Sequence, residues 1–250
     1  MVNWFECVMD IGEKMLISGA EVHRVEESVS RMCQAFGAKR VDVFIITSSM
    51  VVTVCTKEGE TYTQTRRVTS IKFDVEKLHR LNELSREICQ NNLSLEEIQQ
   101  KVNEADSCKQ FPFWAELLSY AVIAGAFTYF FGGTVIEMVV SFFIGALVCF
   151  SVKLSDKVLF NKVFAKFYSS AITTFLAFAA VYLGLISNVD KVIIGNIMTL
   201  IPGIGLTNAI RDLFTGDSIA GLLRLIEAAL TALAIAAGYY MVVVIGGLFV

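Results

Sequence analysis

The sequence predicts an α-helical membrane protein: five transmembrane helices, one broken at a Pro/Gly motif, behind an N-terminal cytosolic α+β domain. Composition is the first reason. Hydrophobic residues make up 55% of the 250 residues and charged residues 18%, against ~45–50% and about 25% in soluble domains. Mean hydropathy is +0.61, with 19 Phe and only 2 Pro. Asymmetry is the second. Residues 1–112 hold 14 Lys+Arg and 17 Asp+Glu, while residues 113–250 hold seven of each sign and 13 of the 17 glycines. Periodicity is the third, because helix and strand patterns before Pro112 give way to unbroken apolar runs after it. Disorder, a collagenous chain and a small disulfide scaffold are excluded. A net charge of −3 leaves no electrostatic footprint for nucleic acid.

The domain over 1–112 opens with two amphipathic helices. Trp4, Val8, Ile11 and Met15 form one stripe, and Val22, Val25, Val29, Met32 and Phe36 the next. Gly19 and Gly37 stand where C-terminal caps fall. Three strands follow at Val41–Ile46, Val51–Thr56 and Glu60–Thr65, the last two joined by a hairpin loop at Lys57–Glu60. Helices resume at Asp74–Gln90, capped by Asp74, and at Ser94–Glu104, where Ser94 and Glu97 make a capping box. Met1–Glu6 shows no secretory signal pattern, so the domain is expected in the cytosol. Cys7, Cys33, Cys55, Cys89 and Cys108 are scattered without a C-x-x-C pair, so no metal or cofactor is expected.

Pro112 marks the seam, since the residue before a proline leaves the helical region. A crossing needs about 20 apolar residues. Spans are read near 114–131, 134–152, 167–186, 192–210 and 219–247. Lys153, Lys157, Lys162 and Lys166 fill the loop between spans two and three, which places that loop and the N-terminal domain in the cytoplasm. Trp114, Tyr168, Tyr129, Tyr182, Tyr239 and Tyr240 suit interfacial belts. Five spans leave Val250 outside, and a second, similar module would insert upside down. The expected location is the cell (inner) membrane, multi-pass.

Span four carries the most information. Thr199 to Asp212 places Pro202, Gly203 and Gly205 within the run, and broken backbone at membrane depth survives only where protein buries it or it lines a cavity. Secondary transporters use such breaks to bring helix ends to a substrate. Asn196, Thr199, Thr207 and Asn208 are the polar candidates there, with Arg211, Asp212 and Asp217 at the cytoplasmic mouth. The plain alternative is a packing kink. Glu137 on span two is a candidate proton or substrate site, or a carboxylate reaching the outer headgroups. Arg224 and Glu227, three apart, can pair and snorkel, or Glu227 can serve the pathway. Ala228, Ala232 and Ala236, and Ser141 with Gly145, are small-residue seams. No phosphate-binding loop and no dinucleotide fingerprint is present. No catalytic order stands out, so an enzyme is not expected.

In the soluble domain, Glu21, Arg24 and Glu27 line one helix face. This is either a solvated face or a carboxylate–guanidinium site that docks the membrane half or a partner. The run Ser18–Glu26 resembles the amino-terminal G-x-E-x-x-R-V-E signature of the threonine/serine exporters, through Glu21, Arg24 and Glu26. Ile201–Asp212 with Gly216–Asp217 resembles that family's P-G-x-x-L-T-N-x-x-R-D-x-x-x-G-D signature. The resemblance implies a secondary transporter subunit exporting small carboxylates or amino acids, of the succinate or threonine/serine class, driven by an ion gradient. It further implies the larger subunit of a split, two-protein form completed by a small membrane-protein partner; a higher oligomer is open. Arg211 either attracts a carboxylate or, with Asp212, pairs with Glu21, Arg24 and Glu26 as a gate. Competing classes are a membrane-anchored metabolite-sensing module without transport of its own and an anchored hydrolase.

Overall fold

The computed structural model describes residues 3–91, 93–107, 111–158 and 161–247. Cys108, Lys109, Gln110 and Val250 lie outside these, as do the side chains of Lys157 and Lys162. The chain forms two compact units: Met1–Lys109 with Gly205–Leu225, and Gln110–Ile204 with Ile226–Val250.

In the first unit, helices α1 (Asn3–Ile17) and α2 (Val22–Ala35) precede strands β1 (Arg40–Ile46), β2 (Ser49–Cys55) and β3 (Thr61–Arg67), then α3 (Val75–Gln90) and α4 (Leu95–Asp106). The strands make an antiparallel sheet in the order β1-β2-β3. Ile45, Met50, Val52 and Val54 turn one face inward, as the two-residue period requires. Val8, Ile11, Met15, Val25, Val29 and Met32 meet that face, all fully buried. Gly12 lets α1 come close, since a Cβ there would lie 2.8 Å from Val29 and 3.1 Å from the Met50 sulfur. Gly19 (φ +91°) and Gly37 (φ +89°) adopt the left-handed conformation that ends each helix. The Asp74 cap and the Ser94–Glu97 capping box are both formed. Residues Gly205–Leu225 complete this unit with most of α9 (Gly203–Thr215) and the first turns of α10 (Ser218–Gly247).

The second unit holds α5 (Phe113–Phe130), α6 (Val135–Val158), α7 (Lys162–Tyr182), α8 (Val189–Ile197) and the remainder of α10. Four described helices are long and apolar enough to cross a membrane: Phe113–Phe130, Val135–Ser155, Val163–Tyr182 and Ser218–Gly246. This corrects the count of five. The expected span 192–210 is two helices separated by Met198–Pro202. Pro202 has no N–H to continue the ladder and holds Ile201 out of the helical region. At 1.5 Å per residue, nine-residue α8 is roughly 14 Å long, under half of a hydrocarbon core. The inference from odd parity to an inverted partner therefore loses its footing.

Small residues set the spacing in this unit. A Cβ at Gly145 would lie 2.7 Å from the Ala124 Cβ and 2.8 Å from the Tyr120 carbonyl, so the Ser141–Gly145 pair faces α5. On α10 the buried residues of this unit include Ala228, Ile235 and Gly238, and a Cβ at Gly238 would meet the Phe167 carbonyl at 2.2 Å. Of the expected alanine seam Ala228 is buried, while Ala232 and Ala236 are exposed and make no seam within this unit.

Candidate functional site

The residues singled out by the sequence divide between the two units. Glu21, Arg24, Glu26, Gly205, Thr207, Asn208, Arg211, Asp212 and Asp217 belong to the first; Glu137, Asn196, Thr199, Pro202, Gly203 and Glu227 belong to the second.

In the first unit the site grows out of a sharp corner. Gly19 stops α1, and Glu21 (φ −67°, ψ 142°) is extended before α2 begins. Helix ends leave backbone groups without intrahelical partners. Three of those at this corner are met by side chains from α9 and α10. Asn208 Nδ2 donates to the Gly19 carbonyl (3.1 Å), Arg224 Nη2 to the Ala20 carbonyl (2.9 Å), and Val22 N to Asp212 Oδ1 (3.3 Å). The signs are those the helix dipole favours, a cation beyond the C-terminus of α1 and a carboxylate at the N-terminus of α2. Arg224 Nη1 also lies 3.0 Å from Asp212 Oδ2, with both side chains buried. Glu21 pairs with Arg211 at the rim, where the guanidinium is 55% exposed and the pair contributes little.

Gly216 (φ +101°) turns the chain between α9 and α10, and Asp217 N donates to the Asp212 carbonyl. Glu26 Oε1 accepts from Ile45 N (3.1 Å). Burial, with the nearby charge of Asp217, pushes the Glu26 carboxyl above its usual range. Burial raises Asp212 as well, against the opposing pull of Arg224. Arg24, by contrast, points to a cleft against α3 and takes no part in the corner. Thr207 and Leu206 are exposed.

Arg224 is the residue the sequence reading misassigned. Its guanidinium goes to Ala20 and Asp212 rather than to Glu227, whose side chain is exposed. The usable signal was the corner itself: a glycine-terminated helix followed at once by another leaves carbonyls that want a cation.

In the second unit, α8 packs against α5, α6 and α7. Asn196 Nδ2 donates to Ser141 Oγ (2.7 Å) and to the Val192 carbonyl (2.9 Å). Thr128 Oγ1 lies 2.6 Å from Ser141 Oγ, and Ser141 Oγ donates to the Ala124 carbonyl. Thr128, Ser141 and Asn196 are all fully buried, and among the described residues Asn196 Oδ1 has no hydrogen-bond partner. Thr199 closes the end of α8, its N–H and hydroxyl both donating to the Asn196 carbonyl. Gly195 lets α8 touch α5: a Cβ there would lie 2.8 Å from the Ala124 carbonyl and 2.7 Å from Thr128 N. A Cβ at Gly203 would meet nothing within 4 Å.

Glu137 is 1% exposed and does not reach toward headgroups. It accepts from Thr134 N (2.7 Å), Asn188 N (2.8 Å) and Asn188 Nδ2 (2.9 Å). It is a capping-box carboxylate at the start of α6 that also clamps the start of α8, which accounts for its burial. Among the described residues no cluster of His, Cys, Asp and Glu could hold a metal ion.

Residues 6–246 match the family model described as "Putative threonine/serine exporter". The chain belongs to the threonine/serine exporter family. No curated protein and no solved structure gave a match. Within the first unit, Asn208, Asp212 and Arg224 meet Gly19, Ala20 and Val22 at the α1–α2 corner, across 189 to 204 residues of sequence.

Proposed function

We propose that this chain is a subunit of a secondary transporter that exports threonine, serine or a related small amino acid, with a small membrane-protein partner completing the pathway. The observation that carries this reading is the end of α8: a half-length helix packed among long apolar ones, finishing at a Pro/Gly break with a buried acceptor at Asn196 that has no partner among the described residues. Backbone broken in this way is otherwise a cost without a return. An anchor for a sensing module has no use for it.

The same acceptor supports one substrate class over the other. The C-terminal end of a helix is the negative end of its dipole, and Asn196 Oδ1 needs a donor. Threonine and serine bring an ammonium and a hydroxyl. Ionised succinate is acceptor-only, so a dicarboxylate leaves that oxygen unsatisfied. The N-terminal unit lies in the cytoplasm of a cell whose inner membrane holds the spans, in keeping with the lysines at the end of α6 and the start of α7. The corner acts there as a latch, Arg211, Asp212 and Arg224 holding Gly205–Leu225 against α1 and α2. A proton gradient drives export.

Counterflow in proteoliposomes with labelled threonine, serine and succinate, with and without the partner, tests this. Flux of threonine or serine is expected in the paired preparation, with Asn196→Leu reducing it at least tenfold. Absence of flux for all three substrates sinks the transport reading. Succinate flux alone, unchanged by Asn196→Leu, overturns the substrate assignment.

A further inference from the structure

The signature arginine that the corner does not use faces a different feature. Arg24, Ser28 and Arg31 recur along α2 at intervals of four and three; Asn82, Ser85, Arg86 and Cys89 do the same along α3. Residues at those spacings share one face of a helix. Where two helices pack, such facing stripes are ordinarily apolar. Here they are polar and line a cleft of about 180 Å³, with Asn82 and Ser85 buried in it and Arg24, Arg31, Arg86 and Cys89 exposed.

Charge makes the cleft unusual. Three guanidiniums and one carboxylate, Glu27, line it, in a domain whose first 112 residues carry 14 basic and 17 acidic side chains. Glu27 is already taken by Arg31, one turn along the same helix. Among the described residues no ion pair engages Arg24 or Arg86. Asn82 and Ser85, buried on the α3 side, donate to carbonyls of their own helix. Arg24 and Arg86 stand exposed at the cleft, open to an incoming anion, and a guanidinium fork matches carboxylate and phosphate oxygens in a bidentate manner.

We propose that the α2–α3 cleft binds a small oxyanion, a phosphate or carboxylate group, through Arg24 and Arg86. This site is separate from the substrate contacts of the second unit and does not rest on them. Its ligand would report through α2, whose first turn carries Arg24 on the cleft side and Val22 at the corner.

Calorimetric titration of the full-length protein in nanodiscs, at constant ionic strength, with inorganic phosphate and separately with malonate tests the site and tells the two chemistries apart. Saturable binding of at least one is expected. Arg24→Gln with Arg86→Gln should weaken it tenfold or more, and Glu27→Gln, which removes the competing carboxylate, should tighten it severalfold. A gain of that kind does not come from misfolding. Cys89 is an exposed thiol in the cleft, so bound anion should slow its maleimide labelling, read by peptide mass spectrometry, while Cys55 is unaffected. No saturable binding of either anion, or binding indifferent to all three substitutions, overturns the proposal.

Discussion

At the scale of single residues, the buried Asp212–Arg224 pair decides most. Both side chains are out of water, and each also serves a backbone group of the α1–α2 corner. Removing one member strands the other charge, at a cost of about 3–5 kcal/mol. Arg224→Ala should therefore lower the melting temperature by several degrees and expose Gly205–Leu225 to limited proteolysis. Arg211→Ala removes only a rim pair and should shift melting little. If the two variants melt alike, the buried pair is not what holds the segment. Glu26 offers a pH test. Its carboxyl is raised in the fold, so the folded state holds the proton more tightly than the unfolded chain does. The stabilisation this gives is fully present below the unfolded value of about 4.3 and is lost as pH rises through the folded one. The melting temperature of wild type minus that of Glu26→Gln should fall as pH climbs through this window; a flat difference overturns the assignment.

At the scale of elements, α8 sets the architecture of the membrane unit. Its approach to α5 depends on Gly195, where an added methyl would meet backbone atoms of Ala124 and Thr128. Gly195→Ala should cost about 1–3 kcal/mol by overpacking and reduce the yield of folded protein from detergent, measured by gel filtration. The break after α8 behaves differently, because Gly203 has open space around it. Pro202→Ala with Gly203→Ala removes the obstacle to a helix continuing from Ile197 into α9, and should abolish flux without lowering the melting temperature. Wild-type transport in that variant would remove the break from the mechanism.

At the scale of the whole molecule, what could be read from the sequence depended on whether the cause was local. Stripe periodicity, the Gly19 and Gly37 stops, the Lys57–Glu60 hairpin and the Ser94–Glu97 capping box are set by neighbours, and the structure has each of them. Hydropathy found four crossing helices and overcounted at the fifth, because a window average over 192–210 does not register a turn at Pro202. The contacts of Arg211 and Asp212 with Glu21 and Val22 were legible only through the exporter signatures, and then without Arg224. Its partners lie 204 residues upstream in the case of Ala20, beyond the reach of any local pattern. The Asn188 partner of Glu137 was out of sight for the same reason, lying 51 residues downstream.

The α1–α2 corner has a consequence for biogenesis. Gly19, Ala20 and Val22 leave the ribosome first, yet the side chains that satisfy them follow 189 to 204 residues later. At roughly 5–20 residues per second, those backbone groups wait on the order of ten to forty seconds while the apolar helices are synthesised and inserted. A chaperone on the nascent N-terminal region would have that interval in which to work, and synthesis of Arg224 ends it.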